Sequence, residues 1–222
     1  MSVLKFDHVS FVADKKEILK DVSFKVQEGD FISIMGPSGG GKSTLLKLAC
    51  HLISPTSGSL SYRGKDFLSL EPTDMRKKIA YCFQTPVLFG QTVRENINFP
   101  FEIRKEPVNK DKIMKLLEQF QLSADLLEED VKTLSGGEKQ RIALIRTVIY
   151  QPDLLLLDEV TSNLDAENSE LVEQAICDLH QQGVTIMWIT HNQEQSQKVA
   201  NKRLEIINGS IKKLEALTHE RN

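Results

Sequence analysis

Long apolar runs are missing from this chain of 222 residues. No stretch approaches the roughly 20 apolar residues of a membrane span, and the opening Met1-Ser2-Val3-Leu4-Lys5 has no secretory h-region. A soluble, cytoplasmic protein is expected. Cysteine is scarce too: Cys50, Cys82 and Cys177 are far apart and odd in number. That suits neither a disulfide framework nor a zinc site and points to small buried thiols. The histidines, His8, His51, His180, His191 and His219, form no ligand cluster with them. An excess of either charge is lacking as well. Lys+Arg 28 against Asp+Glu 31 leaves a net charge of -3, so no overall basic field favours nucleic acid or anionic lipid, and no nucleic-acid partner is expected.

What the chain does have is alternation between strand and helix patterns. Apolar residues make up 40% of it, which supports a sizeable core, and an α/β domain with a helical insertion is the expectation. Residues 3–11 and 18–26 alternate apolar and polar positions around the polar turn Ala13-Asp14-Lys15-Lys16, and Ser59–Tyr62 follows as another short strand. Together they read as an antiparallel subdomain. From about Ser69 to Leu127 the pattern turns helical, with Ile113, Met114, Leu116, Leu117 and Phe120 expected on one face. Residues 85–135 are read as the helical insertion, flanked by a core of residues 1–84 and 136–222. Leu154–Leu157 and Val184–Thr190 are continuous apolar runs of the kind buried on both faces of a parallel sheet, with helical segments at about 136–150 and 166–181. A hairpin around Asn208-Gly209 and a polar end close the chain.

One stretch carries chemistry by itself. Gly36-Pro37-Ser38-Gly39-Gly40-Gly41-Lys42-Ser43-Thr44 matches the phosphate-loop pattern G-x-x-x-x-G-K-[ST], after the apolar run Phe31–Met35 and before the helix-like run Leu45–Cys50. Glycines let successive N–H groups face one anion, and the following helix adds its positive end. Lys42 is placed for the outer phosphates and the Ser43 hydroxyl for magnesium. Asp158 and Glu159 end the Leu154–Leu157 strand, where an open α/β sheet places its ligand. Asp158 suits magnesium; Glu159 suits accepting a proton from, or orienting, a water that attacks the terminal phosphate. Leu134-Ser135-Gly136-Gly137-Glu138 precedes a helical run, and Ser135 with Glu138 has capping-box spacing. The two glycines in that first turn each cost about 1 kcal/mol relative to alanine. They suggest a second close approach of backbone to phosphate, from a nucleotide held by another subunit.

In these residues the chain resembles the ATP-binding subunits of ABC transporters over nearly its whole length. The phosphate loop at 36–44, the LSGGE signature at 134–138 and the magnesium strand at 154–159 stand in the family order. So do a glutamine at Gln84, a D-loop Ser162-Asn163-Leu164-Asp165 and a switch histidine at His191. The resemblance implies a P-loop NTPase of the ABC ATPase type, α/β, with a parallel core sheet, an antiparallel β subdomain and a helical subdomain. It implies ATP and Mg2+ as ligands and hydrolysis to ADP and phosphate. Gln84 would sense magnesium and water, and His191 would contact the γ-phosphate. Ser135, Gly136, Gly137 and Glu138 would bind the ATP of an opposite subunit in an ATP-dependent homodimer, with Asp165 coupling the two sites. One position departs from the family: where it usually stacks adenine on an aromatic side chain, this chain has Ala13, and Phe11 is expected to point into the core.

The resemblance also implies a separate membrane permease, docked around Gln84–Pro100, and a peripheral location on the inner face of the membrane. Phe83, Leu88, Phe89, Phe99 and Phe101 are divided between core and such a groove. The wording of residues 81–104 is similar to the ATPase subunits of the bacterial iron-export type, so the cargo implied is iron or another metal. Two other functions are weighed: a soluble ABC ATPase acting on nucleic acid or ribosomes, and a nucleotide-binding regulator with negligible hydrolysis. Relatives of the first kind generally carry two ATPase domains or a long coiled coil, and Glu159 with His191 argues against the second.

Overall fold

The computed structural model describes residues 1–217, so His219 and the last part of the polar tail lie outside the described residues. In order, the chain forms β1 (Ser2–Ala13), β2 (Lys16–Gln27), β3 (Phe31–Met35), α1 (Lys42–Ala49), β4 (Ser57–Tyr62), β5 (Lys65–Asp66), α2 (Pro72–Lys78), β6 (Ile79–Cys82) and α3 (Val93–Glu102). It continues with α4 (Lys110–Gln119), α5 (Gly136–Val148), β7 (Leu154–Asp158), α6 (Ala166–Gln181), β8 (Thr185–Ile189), α7 (Gln193–Val199), β9 (Lys202–Ile207) and β10 (Ser210–Ala216). Two compact units result: Met1–Tyr81 with Pro152–Glu159 and His180–Asn222, and Cys82–Gln151 with Val160–Leu179. The second is wider than the 85–135 segment that its helical pattern suggests.

The first unit contains two sheets. Four strands in the order β2-β1-β4-β5 form the antiparallel one, and six in the order β10-β9-β3-β8-β7-β6 form the other. In the larger sheet β3 pairs in parallel with both β8 and β9, and β7 with β8. Leu154–Asp158 and Thr185–Ile189 are buried at every position, which is why these segments read as continuous apolar runs. One hydrophobic cluster joins the inner faces: Leu4, Phe6 and Phe24 from the antiparallel sheet, Leu45 and Leu48 from α1, and Ile32, Leu154 and Ile189 from the larger sheet. Phe6 stacks on Phe24 with centroids 4.7 Å apart. Burying such a side chain fully is worth about 1.5–3 kcal/mol. The β9–β10 turn has φ 51° at Asn208 and 80° at Gly209, positive at both residues as a tight hairpin turn requires.

Two expectations need correction. The stretch from Ser69 to Leu127 is not helical throughout, because Ile79–Cys82 is a strand of the larger sheet. Four residues between a short helix and an irregular loop are too few to show an alternating period. Met114 does not share the buried face of α4: Ile113, Leu116, Leu117 and Phe120 are buried and Met114 is 47% exposed. The buried set keeps the i, i+3, i+4, i+7 spacing, and Met114 lies one residue, or about 100°, off it. Among the described residues the three cysteines form no disulfide, with Cys50 and Cys82 buried and Cys177 half-buried.

In the second unit each helix start is capped. Thr92 accepts from the Glu95 N–H and Asn109 from the Lys112 N–H. Arg141 of α5 is buried, and its guanidinium donates to the carbonyls of Phe120 and Gln121 at 3.3 Å each, closing the end of α4. Burial holds its pKa below the ordinary arginine range. Arg141→Met is expected to destabilise the protein by about 1–3 kcal/mol, because it leaves these carbonyls unpaired beside an apolar chain; urea unfolding against wild type measures it. Asn96, fully buried, donates to the carbonyls of Phe89 and Thr92 and accepts from the Phe89 N–H and Arg146. Arg146 also donates to the Val87 carbonyl at 2.7 Å. This network pins the segment 87–89 from beneath while Phe83, Val87, Phe89 and Phe99 remain exposed; Phe101 is buried.

Candidate functional site

The first unit gathers the phosphate loop, Asp158, Glu159 and His191. β3 delivers the chain into the loop, and Gly36 adopts φ 140° where a Cβ would run into the Ile206 carbonyl. Only glycine fits there. α1 begins at Lys42 after Gly41 in the left-handed region, and no side chain caps it; an uncapped helix start is where backbone N–H groups can serve an anion. Lys42 Nζ donates to the carbonyls of Gly36 at 2.9 Å and Pro37 at 3.0 Å. Burial lowers its pKa, against the opposing charges of Glu159 and Asp158.

Asp158 is buried at the end of β7. Its Oδ1 accepts from Ser43 Oγ at 3.0 Å and its Oδ2 from the Tyr81 hydroxyl at 2.5 Å. The next residue, Glu159, has φ 50° and donates its N–H to the Ile189 carbonyl at 3.2 Å. A non-glycine residue held there carries about 1–3 kcal/mol of strain, which persists only where the surroundings enforce it. The turn aims the carboxylate at the chain leaving β8, where His191 Nε2 lies 2.9 Å from Glu159 Oε1. Tyr81 is the residue that the sequence pattern missed. Its signal, an aromatic hydroxyl at the sheet position beside β7, was hidden because β6 read as helix.

Among the described residues no group of three or more His, Cys, Asp or Glu side chains is placed to hold a metal ion. A pair consisting of the Ser43 hydroxyl and the Asp158 carboxylate does fit magnesium, which takes few protein ligands and completes its shell with phosphate oxygens and water.

The second unit contains the remaining candidates. Ser135 caps α5, accepting from the Glu138 N–H, while the Glu138 carboxylate accepts from the Ser135 N–H at 2.8 Å, forming a capping box. Those bonds, the backbone one foremost, hold the Glu138 carboxyl below the usual range. The two glycines separate: a Cβ at Gly137 would overlap the Asn168 side-chain amide, whereas nothing lies within 4 Å of one at Gly136. Close packing therefore accounts for Gly137 without a phosphate, and only Gly136 lacks such a reason. Asp165 Oδ1 accepts from the Asn168 N–H at 2.8 Å and caps α6, which lowers its pKa. Gln84 Nε2 donates to Ser162 Oγ at 3.2 Å. Ala13 ends β1 opposite Lys16, and Phe11 is half-buried against the core cluster.

A family model described as ABC transporter matches residues 19–162. Among curated relatives, the probable iron export ATP-binding protein FetA of Escherichia coli (strain K12) is 42% identical over 87% of this chain and 86% of its own. The sulfate/thiosulfate import ATP-binding protein CysA of the same strain is 36% identical over 91% of this chain and 57% of its own. Among solved structures, a dimeric post-hydrolysis state of the ATP-binding cassette MJ0796 bound to ADP and Pi superimposes with a TM-score of 0.86 at 26% identity, covering 97% and 99% of the two chains. With the strand-loop-helix geometry around Lys42, these likenesses place the chain in the ABC transporter family, as an ATP-binding and ATP-hydrolysing α/β cassette of the P-loop type.

Proposed function

We propose that residues 1–222 form a single nucleotide-binding domain that energises a membrane transporter, docked as a peripheral subunit on the inner face of the membrane. The observation that carries the reading is the convergence of Lys42, Ser43, Asp158, Glu159 and His191 in one unit. On ATP binding, Lys42 leaves the Gly36 and Pro37 carbonyls for the outer phosphates, and the N–H groups of residues 36–44 cradle them. Ser43 and Asp158 would hold magnesium. Magnesium, when bound, neutralises phosphate charge. Glu159 orients the attacking water and accepts its proton, and His191 holds the Glu159 carboxylate and reaches the γ-phosphate. Phosphoryl transfer needs chiefly this kind of positioning and charge stabilisation.

Two copies close over two ATP molecules, each nucleotide taking the phosphate loop of one copy and Ser135, Gly136, Gly137 and Glu138 of the other, with Asp165 linking the sites. The dimeric state of the MJ0796 cassette supports this arrangement. The exposed Phe83, Val87, Phe89 and Phe99 form the docking face for the permease, held firm by Asn96 and Arg146. The 42% identity to the iron-export relative supports iron or another metal as the exported cargo, with the metal-binding groups in the permease. The chain is expected to copurify from detergent-solubilised membranes with an integral membrane protein and without RNA, and Phe89→Asp to abolish that capture while leaving ATP binding intact. Recovery of RNA in place of a membrane protein would overturn the transport reading.

A further inference from the structure

Tyr81 lies outside every motif that places the other site residues, yet its hydroxyl occupies half of the Asp158 carboxylate. It donates to Oδ2 at 2.5 Å while Ser43 Oγ donates to Oδ1 at 3.0 Å. We propose that Tyr81 is a positioning residue for magnesium, locking Asp158 in the orientation that presents Oδ1 alone on the Ser43 side. The proposal rests on the reading above that Ser43 and Asp158 hold the ion.

An aspartate carboxylate turns about a broad, roughly two-fold terminal torsion, so an unsupported strand-end carboxylate presents either oxygen or both. The phenol removes that freedom, because a hydroxyl donated to a carboxylate makes a strong, short, charge-assisted bond. The phenol is itself fixed: its ring packs against the hydrophobic cluster of the first unit, and its strand β6 neighbours β7 in the sheet. The core therefore sets the position of the hydroxyl, and through it that of Oδ1. With Oδ2 engaged, Asp158 offers one oxygen, which suits an ion that keeps near-ideal octahedral geometry and most of its water and phosphate ligands. Space-filling alone asks only for the ring. A hydroxyl directed at the acidic side chain paired with Ser43 asks for a partner of the ligating carboxylate, and losing such outer-shell partners typically costs 10–100-fold in metal affinity.

The test uses the full chain with Tyr81→Phe, which keeps the ring and removes the bond. Tyr62→Phe serves as a comparison, because Tyr62 also donates to an aspartate, Asp153, in the same unit. Equilibrium binding of fluorescent ATP is titrated with Mg2+, and Mn2+ binding to the protein–ATP complex is followed by EPR. Tyr81→Phe is expected to raise the half-saturating Mg2+ and Mn2+ concentrations about tenfold. ATP binding in EDTA and the unfolding midpoint stay at wild-type values, and kcat is largely recovered at saturating Mg2+. An unchanged metal midpoint overturns the proposal. So does an equal shift in Tyr62→Phe, or a loss of ATP binding in EDTA, since either marks general damage to the fold. A wild type whose ATP binding ignores the metal overturns the reading of Ser43 and Asp158 itself, and is told apart because it appears before any substitution is made.

Discussion

Glu159→Gln is expected to lower ATP hydrolysis by about 10²–10³-fold, within the range for removal of a general base, while ATP still binds. Glutamine is the informative replacement because it matches the glutamate in size and can keep a hydrogen bond to His191, now 2.9 Å from the carboxylate. The left-handed backbone at φ 50° and the N–H bond to Ile189 are untouched by it. What is lost is the group that takes a proton from water. Phosphate release under single-turnover conditions reads the chemical step directly. Size-exclusion chromatography with light scattering then reads the assembly: Mg-ATP is expected to trap a dimer of this variant, and Mg-ADP to leave it monomeric. The closed state is favoured only by a ligand that binds it better than the open one, and the γ-phosphate supplies that difference. Full hydrolysis by the variant would remove Glu159 from its assigned role; a monomer in ATP, with binding demonstrated, would make the permease an obligatory scaffold for closure.

The second large effect concerns the signature. Ser135→Asp in the Glu159→Gln background is expected to abolish the ATP-dependent dimer without lowering the unfolding free energy by more than about 0.5 kcal/mol, since aspartate caps a helix about as well as serine. Ser135 has a local task that the structure makes plain, accepting from the Glu138 N–H at the start of α5. A substitution that destroys the cap would confuse that task with nucleotide contact. Aspartate retains the acceptor and adds a negative charge where the opposite copy's phosphate is proposed to sit, so only the second task is lost. Glu138 does not offset the change by taking up a proton, because the Ser135 N–H holds its carboxyl below the usual range. A dimer that forms unimpaired would leave the Ser135–Glu138 pair as a helix cap and nothing more.

Much of this molecule is written in local pattern. The paired β1 and β2, the buried runs of β7 and β8, the Asn208-Gly209 hairpin and the phosphate loop between β3 and α1 all follow from short-range signals: period-two alternation, unbroken apolar stretches, turn residues and glycine spacing. The Asp158-Glu159 pair is likewise legible at a strand end, after the apolar run Leu154–Leu157. Such features are carried by neighbouring residues, so they survive in a single sequence.

Features set by distant residues were not legible. β6 is four residues long and becomes a strand because a place beside β7 is open to it; propensity over so short a window is overridden by tertiary pairing. Tyr81 meets Asp158, and His191 meets Glu159, only when the sheet aligns segments far apart in the chain. Gly137 owes its small size to Asn168, on another helix start, a cause that no reading of the LSGGE stretch contains. Sequence by itself determined the nucleotide loop, the strand that faces it and the class of chemistry. Tertiary structure alone decided which hydroxyl steadies the acidic ligand and that His191, already marked in the sequence, meets the Glu159 carboxylate, because those contacts depend on strand order and register, which chain proximity does not encode.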